Sequence, residues 1–466
     1  MAMQTPTPAR DAQWRERLGL SGPILVAGLG RTGLSCARFL HGLGLAVKVA
    51  DSRREPPALA ALRQALPDVP VCLGDLSETA LEDCAAVVLS PGIALEHPFV
   101  RAARRRGLAV LGDVELFARC VHAPVIAITG SNGKSTVTAL LGEMAREAGR
   151  RVAVGGNIGT PVLDLLQVPP PDCYVLELSS YQLETTCSLD AAAATVLNLS
   201  PDHLDRHGDL ERYGMLKARI HRGGGCVVWN RDEAFLAGIL RATCLGGDRP
   251  TVSFGSDAPP GPADYGLCRR GGALWLMRGD AALIAAADLA LAGEHNLLNA
   301  LAALALGEAA GLAQAPMLAV LRRFAGLPHR MERVASQDGV SWYNDSKATN
   351  VGATLAALRG LPGPVVLIAG GEGKGADFSP LRGTVAGKVR ALVLLGRDAP
   401  RLARTLGDLV PVQCVADMDE AVSAARRLAR PGDQVLLSPA CASLDMFAGY
   451  EARGDAFRTA VRRFLS

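Results

Sequence analysis

Short apolar runs alternate with longer amphipathic stretches along almost the whole chain, a pattern that predicts an α/β protein. Residues 23–27, 125–128 and 365–369 have the length and composition of buried strands, and a helical pattern follows each of them. Strands that alternate with helices in this way form doubly wound parallel sheets, which bind ligands beyond the carboxyl ends of their strands. A chain of 466 residues has room for about three such domains.

We divide the chain into a polar N-terminal extension (1–21), a Rossmann-like domain (22–115), a central domain (116–326) whose glycine loop TGSNGKST is typical of a P-loop domain, and a C-terminal Rossmann-like domain (327–466). The last boundary lies just before a hairpin-like pattern that opens a third α/β region. Apolar residues make up 49% of the chain and charged residues 20%, which indicates globular units rather than disorder.

Charge and cysteine content narrow the class of protein. A net charge of +3, spread along the chain, disfavours a nucleic-acid binder. The eleven cysteines form no C-x-x-C pair, which favours reduced thiols over a disulfide framework or a zinc finger. The N-terminus carries charges without an apolar run, and charged residues interrupt the longest Ala/Leu stretches, so we expect neither a signal peptide nor a membrane span. These features predict a cytoplasmic protein without nucleic-acid or membrane partners.

The most specific chemical signal is the loop TGSNGKST, which follows the apolar run 125–128 and leads into a helical pattern. Such a loop directs backbone N–H groups and the positive end of a helix at one point, which suits a polyphosphate. Lys134 would add charge, and a Ser or Thr hydroxyl would hold Mg²⁺. The usual motif has Gly where this chain has Ile128, so the loop is a shortened variant; a glycine-rich turn with an incidental lysine is the alternative. The candidate nucleotide-binding residues are Gly130, Ser131, Asn132, Gly133, Lys134, Ser135 and Thr136.

A second glycine motif, G-x-G-x-x-G at residues 28–33, follows the strand 23–27. Asp51 ends the next predicted strand, where an acidic residue is the expected partner of a ribose hydroxyl. From the residues alone, the motif is consistent with NAD, with a different nucleotide in the same crevice, or with a turn whose glycines allow close packing.

Polar residues elsewhere are further candidates. Glu177 lies in an otherwise apolar strand, so we expect its carboxylate to meet either Mg²⁺ or an Arg or Lys in a buried ion pair. His203 follows a strand end among acidic residues, where a structural and a chemical role are both open. Lys217 is predicted to be a solvated charge on a short helix. Asn296 and Asn299 share one face near the start of a long helix, where they could cap it or bind an adenine edge.

Several motifs, taken in order, make the chain resemble the Mur ligase family over nearly its whole length. They are TGSNGKST at 129–136, GGNIG at 155–159, ELSSYQLE at 177–184, GEHN at 293–296, PHR at 328–330, NDSKATN at 344–350 and SPACAS at 438–443. The DSKATN and SPACAS stretches most resemble the members that add D-glutamate.

The resemblance implies an ATP-dependent amide ligase of peptidoglycan precursor synthesis, monomeric, with UDP-N-acetylmuramoyl-L-alanine and D-glutamate as substrates. ATP would phosphorylate the alanine carboxylate, the amine of D-glutamate would attack the acyl phosphate, and phosphate would leave from a tetrahedral intermediate. Transfer of a phosphoryl group requires Mg²⁺ and a lysine near the γ-phosphate, which agrees with the loop at 129–136.

The resemblance also implies roles for individual residues. Lys134, His203 and Lys217 would be catalytic. One Mg²⁺ would bind Ser135 and Glu177, and a second would bind His203 and Lys217. Lys217 would carry a carbamate, because a free ammonium repels Mg²⁺. The remaining contacts would be Asn296, Asn299, Arg330 and Asp345 to the nucleotide; Arg31, Thr32, Asp51, Ser52 and Arg53 to UDP; Asn157, Ser179 and His203 to the sugar and reacting carboxylate; and Lys347, Thr349, Lys374, Ser443, Leu444 and Tyr450 to D-glutamate.

Because these ligand-binding residues are split between domains, we expect the C-terminal domain to swing onto the central one. Two alternatives stay open. The first is a carboxylate-amine ligase of the same architecture that takes L-glutamate or another amino acid, which the amino-acid pocket decides. The second is a nucleotide-binding oxidoreductase or regulatory protein that uses the motif at 28–33, against which Lys134, Glu177 and Lys217 argue.

Overall fold

The computed structural model describes residues 8–166, 169–246, 248–291 and 293–465. Strands and helices alternate and form three sheets, as the pattern predicts. Most strand centres are buried on both faces, which is why they read as continuous apolar runs rather than as alternating ones. Short 3₁₀ turns connect some elements: Glu78–Leu81, Val162–Leu165, Arg219–His221, Ala286–Asp288 and Ser379–Leu381.

The first sheet has five parallel strands in the order β3-β2-β1-β4-β5. Its strands are β1 (Ile24–Ala27), β2 (Val47–Asp51), β3 (Val71–Leu73), β4 (Ala86–Leu89) and β5 (Ala109–Leu111), accompanied by helices α1 (Pro8–Leu18), α2 (Arg31–Gly42), α3 (Leu59–Ala65), α4 (Pro98–Arg105) and α5 (Asp113–Cys120). The strand order reverses between β1 and β4, so a crevice opens there at the carboxyl ends of the strands.

The second sheet has nine strands in the order β14-β13-β12-β11-β10-β9-β6-β8-β7. Its strands are β6 (Val125–Thr129), β7 (Val152–Gly156), β8 (Cys173–Glu177), β9 (Ala193–Val196), β10 (Cys226–Asn230), β11 (Thr251–Phe254), β12 (Tyr265–Arg270), β13 (Ala273–Arg278) and β14 (Ala281–Ala285). Its helices are α6 (Lys134–Glu147), α7 (Ser180–Leu183), α8 (Leu204–His207), α9 (Leu210–Ala218), α10 (Ala234–Thr243), α11 (Glu294–Ala309) and α12 (Gln314–Arg323). Because β6 lies between β8 and β9, the polar residues at the ends of these strands surround the loop that follows β6.

The third sheet has six strands in the order β15-β16-β20-β17-β18-β19. Its strands are β15 (Glu332–Gln337), β16 (Val340–Asn344), β17 (Val365–Gly370), β18 (Val389–Leu395), β19 (Val412–Cys414) and β20 (Gln434–Leu437), with helices α13 (Val351–Gly360), α14 (Arg382–Lys388), α15 (Ala399–Leu406), α16 (Met418–Leu428) and α17 (Tyr450–Leu465). The pair β15 and β16 is the predicted hairpin, and the other pairs are parallel.

The N-terminal segment departs from the predicted polar extension. Residues 8–18 form α1, in which Trp14 and Leu18 are buried against the first domain. The Trp14 ring lies 5.6 Å from the Phe39 ring, and Arg119 Nη1 donates a hydrogen bond to Leu18 O (2.8 Å). The sequence pattern does not reveal this burial, because Trp14 and Leu18 are single apolar side chains, one helical turn apart, among charged neighbours. The part of the extension at residues 1–7 lies outside the described residues.

The three sheets are joined in different ways. One apolar core runs without a break from the first sheet, through α5, to the underside of the second sheet. The third sheet has apolar cores of its own. Polar contacts link it to the second sheet, including Arg330 Nη2 to Ser135 Oγ (2.6 Å) and Asn350 Nδ2 to Asp202 Oδ2 (3.2 Å). In the part of the chain that the structure describes, no helix is long and apolar enough to cross a membrane.

Candidate functional site

The loop after β6 has the conformation of a phosphate-binding loop. Gly130 has φ 149° and Gly133 has φ 82°, both in the region that favours glycine. A Cβ on Gly133 would lie 2.5 Å from Asn299 Oδ1, so this position also requires the absence of a side chain. The helix α6 begins at Lys134, which leaves its first N–H groups directed at the loop.

Two lysines meet at this loop. Lys134 Nζ donates to Gly130 O (2.8 Å), and Lys217 Nζ donates to the same oxygen (2.9 Å). Burial lowers the pKa of both ammonium groups, and the charge of Lys134 lowers that of Lys217 further. The prediction of a solvated Lys217 is therefore wrong: its side chain is 1% exposed, because α9 packs with this face against the strand ends.

Glu177 lies at the end of β8, beside the loop. Its Oε2 accepts a hydrogen bond from Ser135 Oγ (2.6 Å) and its Oε1 accepts one from Asn157 Nδ2 (2.7 Å). Arg330 Nη2, from the C-terminal domain, donates to Ser135 Oγ in turn (2.6 Å). The buried ion pair that the sequence left open is absent among the described residues, because no Lys or Arg nitrogen there lies within 4.0 Å of the carboxylate.

A cavity between the central and C-terminal domains collects most of the candidate nucleotide residues. It is lined by Asn132, Gly133, Thr136, Leu291, His295, Asn296, Asn299, Arg330, Met331, Asp345 and Lys347, among others. Asn299 Nδ2 donates to Asn296 Oδ1 (2.9 Å), so these two amides are fixed by one another. Burial raises the pKa of Asp345 to about 7, although Ser438 Oγ donates a hydrogen bond to it.

The crevice of the first domain collects the candidate UDP residues. Its walls include Gly28, Gly30, Arg31, Thr32, Asp51, Ser52, Arg53, Asn157 and Gln182, and its volume is about 470 Å³. Both Asp51 oxygens are already engaged, one by Leu29 N (2.6 Å) and both by the Arg53 guanidinium (2.8 and 2.7 Å). This pairing lowers the pKa of Asp51 to about 2. Asp51 thus fixes Arg53 and the turn, and its contact with a ribose hydroxyl stays a prediction.

The candidate D-glutamate residues lie on three loops of the third sheet and at the start of α17. These loops follow β16, β17 and β20, which are neighbours in the sheet, so their residues meet at one edge. Glu372 and Ala442 form an antiparallel bridge between two of the loops. Lys347 Nζ lies 3.7 Å from the centre of the Tyr450 ring. Thr349 is half-buried and Ser443 is buried on this edge, whereas Lys374 and Leu444 are exposed.

Sequence reasoning missed Arg453, which joins these three loops. Its guanidinium is buried and donates to Ser346 Oγ (3.0 Å), Ser346 O (2.8 Å), Cys441 O (3.1 Å), Ala442 O (3.3 Å) and, where the third loop leaves β17, Gly370 O (3.5 Å). Burial lowers its pKa to about 10, so it remains charged at neutral pH. An arginine in an amphipathic C-terminal helix gives no sequence signal for such a position.

The remaining candidates lie between the two cavities. Ser179 caps α7 and accepts a hydrogen bond from Gln182 N (3.2 Å). His203 has φ 55° and is hydrogen-bonded to the Tyr181 hydroxyl (2.7 Å). Asn157 lines the first crevice and contacts Glu177, so it connects the crevice to the phosphate loop. The described residues contain no group of three or more His, Cys, Asp and Glu side chains that could hold a metal ion.

Comparison with known proteins agrees with this architecture. Three sequence families match in succession: "Mur ligase MurD-like, N-terminal domain" over residues 22–112, "Mur ligase middle domain" over 128–307 and "Mur ligase, glutamate ligase domain" over 329–441. The relative from Nitrosococcus oceani, named UDP-N-acetylmuramoylalanine--D-glutamate ligase, is 56% identical over 444 residues, which are 95% of this chain and 97% of the relative. A protein of the same name from Marinobacter nauticus is 53% identical, with 94% of this chain and 97% of the relative covered.

Solved structures share the fold at low sequence identity. A UDP-N-acetylmuramate-alanine ligase from Thermotoga maritima superposes with a TM-score of 0.59 at 20% identity, covering 96% of this chain and 99% of the other. A pseudomurein peptide ligase from Methanothermus fervidus gives 0.59 at 17% identity, covering 95% and 100%. Sheet order, phosphate loop and sequence identity lead to one conclusion: this chain belongs to the Mur ligase family.

Proposed function

We propose that this protein is the ATP-dependent ligase that joins the amine of D-glutamate to the L-alanine carboxylate of UDP-N-acetylmuramoyl-L-alanine, giving ADP and phosphate. The observation that carries the proposal is a line of hydrogen bonds that runs from the first crevice to the C-terminal domain. Asn157 bonds Glu177, Glu177 accepts from Ser135, and Ser135 accepts from Arg330. A substrate anchored by its UDP part in the crevice would reach the phosphate loop along this line.

The residues around the loop suit transfer of a phosphoryl group to a carboxylate. Lys134 and Arg330 supply positive charge on two sides of Ser135, where the γ-phosphate of ATP would lie. Both side chains are half-buried, and partial burial strengthens their effect on charge that develops during transfer. Asn296 and Asn299, fixed by their mutual hydrogen bond, would bind the adenine edge.

The polar groups at the loop fit Mg²⁺. The Ser135 hydroxyl and the Glu177 carboxylate are hard oxygen donors 2.6 Å apart, and Mg²⁺ often takes only one or two protein ligands beside phosphate oxygens and water. When bound, Mg²⁺ would neutralise phosphate charge. We propose Ser135 and Glu177 for one ion, and His203 with Lys217 for a second.

We propose that Lys217 works as a carbamate. Its amine and that of Lys134 share the carbonyl oxygen of Gly130, an arrangement that is unfavourable for two ammonium ions. The lowered pKa of Lys217 favours the neutral amine, which is the form that reacts with CO₂. The carbamate would place an anionic oxygen ligand where an ammonium would repel Mg²⁺. In protein equilibrated with ¹³C-bicarbonate, we expect a carbamate ¹³C resonance that disappears in Lys217→Arg.

The third sheet would supply the amino-acid site. Its three joined loops carry Lys347, Thr349, Lys374, Ser443 and Leu444, and Tyr450 begins α17. Their lysines suit a substrate with two carboxylates.

We also propose that the protein is monomeric and acts in the cytoplasm, where ATP and the UDP-linked substrate are made.

The proposal is tested by phosphate release from ATP and Mg²⁺ with UDP-N-acetylmuramoyl-L-alanine and either D-glutamate, L-glutamate or no amino acid. We expect release and amide product with D-glutamate alone, and loss of both in Lys134→Met. Turnover with L-glutamate only would retain a ligase but reject the proposed amino acid. Absence of turnover with either amino acid would reject the proposed function.

A further inference from the structure

His203 has a backbone conformation that requires support. Its φ of 55° is in the left-handed region, which is unusual for a residue with a side chain. It precedes the short helix α8 and is about one third exposed. Such a conformation persists only where neighbouring groups hold it.

The side chain that holds it is Tyr181, from the segment after β8. The Tyr181 hydroxyl lies 2.7 Å from His203 Nδ1, and the two rings are 5.0 Å apart. With Nδ1 engaged by the hydroxyl, the ring directs Nε2 to the other side, where Asp202 Oδ2 is 3.7 Å away. An ion bound by this histidine would therefore use Nε2.

Tyr181 is itself held by a buried polar cluster. The guanidinium of Arg206 covers its ring at 4.7 Å, and the ring of His207 lies 5.4 Å from it. Glu184 accepts a hydrogen bond from Arg206 (2.6 Å) and contacts His207 Nδ1 (3.3 Å). His207 Nε2 is bonded to Ser180 Oγ (3.0 Å), so both ring nitrogens of His207 are engaged.

The same cluster extends to Lys217. The His207 ring also stacks on Tyr213, with 5.2 Å between ring centres and 21° between planes. Lys217 Nζ lies 4.5 Å from the centre of the Tyr213 ring. His207 thus contacts both Tyr181, which is bonded to His203, and Tyr213, which contacts Lys217.

We infer that Tyr181 is a positioning residue for the second Mg²⁺ site: its hydroxyl holds His203 Nδ1 so that Nε2 faces the ion, and the cluster around Glu184 and His207 keeps Tyr181 in place. The inference rests on the proposed function, which assigns His203 to that site. In proteins, a group that accepts the proton of the non-ligating nitrogen fixes both tautomer and orientation of a metal-binding histidine. In the proposed arrangement Nδ1 would carry the proton and donate it to the Tyr181 oxygen.

The test compares Tyr181→Phe with Tyr265→Phe. Both changes remove one hydroxyl and keep the ring, and Tyr265, which is bonded to Glu308 in β12 and α11, is a matched control away from the site. Mn²⁺ is titrated into each full-length protein with ADP and UDP-N-acetylmuramoyl-L-alanine and followed by electron paramagnetic resonance. We expect the weaker Mn²⁺ site to lose about 10- to 100-fold in affinity in Tyr181→Phe and to be unchanged in Tyr265→Phe.

A second measurement does not depend on metal or turnover. Long-range ¹H–¹⁵N spectra of the histidine side chains, with His203 assigned from His203→Gln, should show the Nδ1-protonated tautomer in the wild type and a mixture in Tyr181→Phe. An Nε2-protonated His203 in the wild type, or equal Mn²⁺ affinity in both tyrosine variants, would overturn the inference. If the wild type binds Mn²⁺ as expected but releases no phosphate with D-glutamate, the proposed function fails and the positioning geometry stands.

Discussion

At the scale of single residues, the protein buries ionisable groups that have no opposite charge beside them. Lys217 and Arg453 donate to carbonyl oxygens, and Asp345 accepts from Ser438 and a backbone N–H. Each group lies on a wall or a support of a proposed ligand site. Carbonyl and hydroxyl partners hold these groups in place without an ion pair, so burial decides in which direction each pKa moves.

Asp345 makes stability depend on pH. Its pKa is raised to about 7 by burial, against about 4 in an unfolded chain, so between these pH values the folded state binds the extra proton. The contribution of Asp345 to the free energy of unfolding therefore falls as pH rises from about 4 to 7. We expect Asp345→Asn, which cannot titrate, to reduce the loss of stability between pH 5 and pH 8 in urea denaturation. An unchanged pH dependence, with exposed Asp68→Asn as control, would contradict this expectation.

Arg453 provides a second residue-scale prediction. Arg453→Met removes the donors to four carbonyl oxygens, and each carbonyl left unpaired costs about 1–3 kcal/mol. We expect a lower free energy of unfolding and a KM for D-glutamate that rises more than the KM for ATP. Arg462→Met, at an exposed site on the same helix, should change stability by less than about 0.5 kcal/mol. If the KM values for D-glutamate and ATP changed equally, Arg453 would have no specific role in holding the amino-acid loops.

At the scale of elements, the segment from β6 to α6 depends on glycine for two separate reasons. Gly133 and Gly149 flank α6 and have similar left-handed conformations, with φ of 82° and 76°. Only at Gly133 would a Cβ meet another group, Asn299 Oδ1 at 2.5 Å, whereas Gly149 faces open space. The pair therefore separates backbone strain from steric contact in the nucleotide cavity.

We expect Gly133→Ala and Gly149→Ala to lose similar stability, about 1–2 kcal/mol each, because both place a Cβ in the left-handed region. Gly133→Ala should also weaken ADP binding by about 10-fold or more, because Asn299 must move. Isothermal titration with ADP and denaturant unfolding would measure both effects. The same ADP affinity in the two variants would mean that Asn299 does not bind the nucleotide.

At the scale of the whole molecule, the first two domains share one apolar core, and the third meets them through polar contacts. A continuous core resists relative motion, whereas polar contacts at a domain boundary exchange readily with water. The motion we expect is therefore rotation of the C-terminal domain against a rigid pair.

Asn350 offers a test of that motion. Its Oδ1 caps α13 by accepting from Ala353 N (2.8 Å), and its Nδ2 reaches Asp202 and Asn132 in the central domain. Asn350→Ser keeps a capping oxygen but is too short for the second contact. We expect the variant to have a larger radius of gyration by small-angle scattering than the wild type when both are saturated with ADP and UDP-substrate, at equal stability. Identical scattering of wild type with and without ligands would reject domain closure itself.

The sequence predicted the fold to the extent that local pattern decides it. The apolar runs gave the strands, the loop at 129–136 gave the turn from β6 to α6, and the spacing of Asn296 and Asn299 placed them on one face. Lys217 was misjudged, because its burial depends on how α9 packs against strand ends that are far away in the chain. Trp14 and Arg453 were missed for the same reason.

By itself, then, the sequence determined the alternation of strands and helices, the positions that need glycine and the family resemblance. Each of these features depends only on residues that are close together in the sequence. Only the tertiary structure decided which charges are buried, that Asp51 is used by Arg53, and that Tyr181 holds His203. Burial and side-chain pairing depend on contacts between segments distant in sequence, and a local pattern carries no record of those contacts.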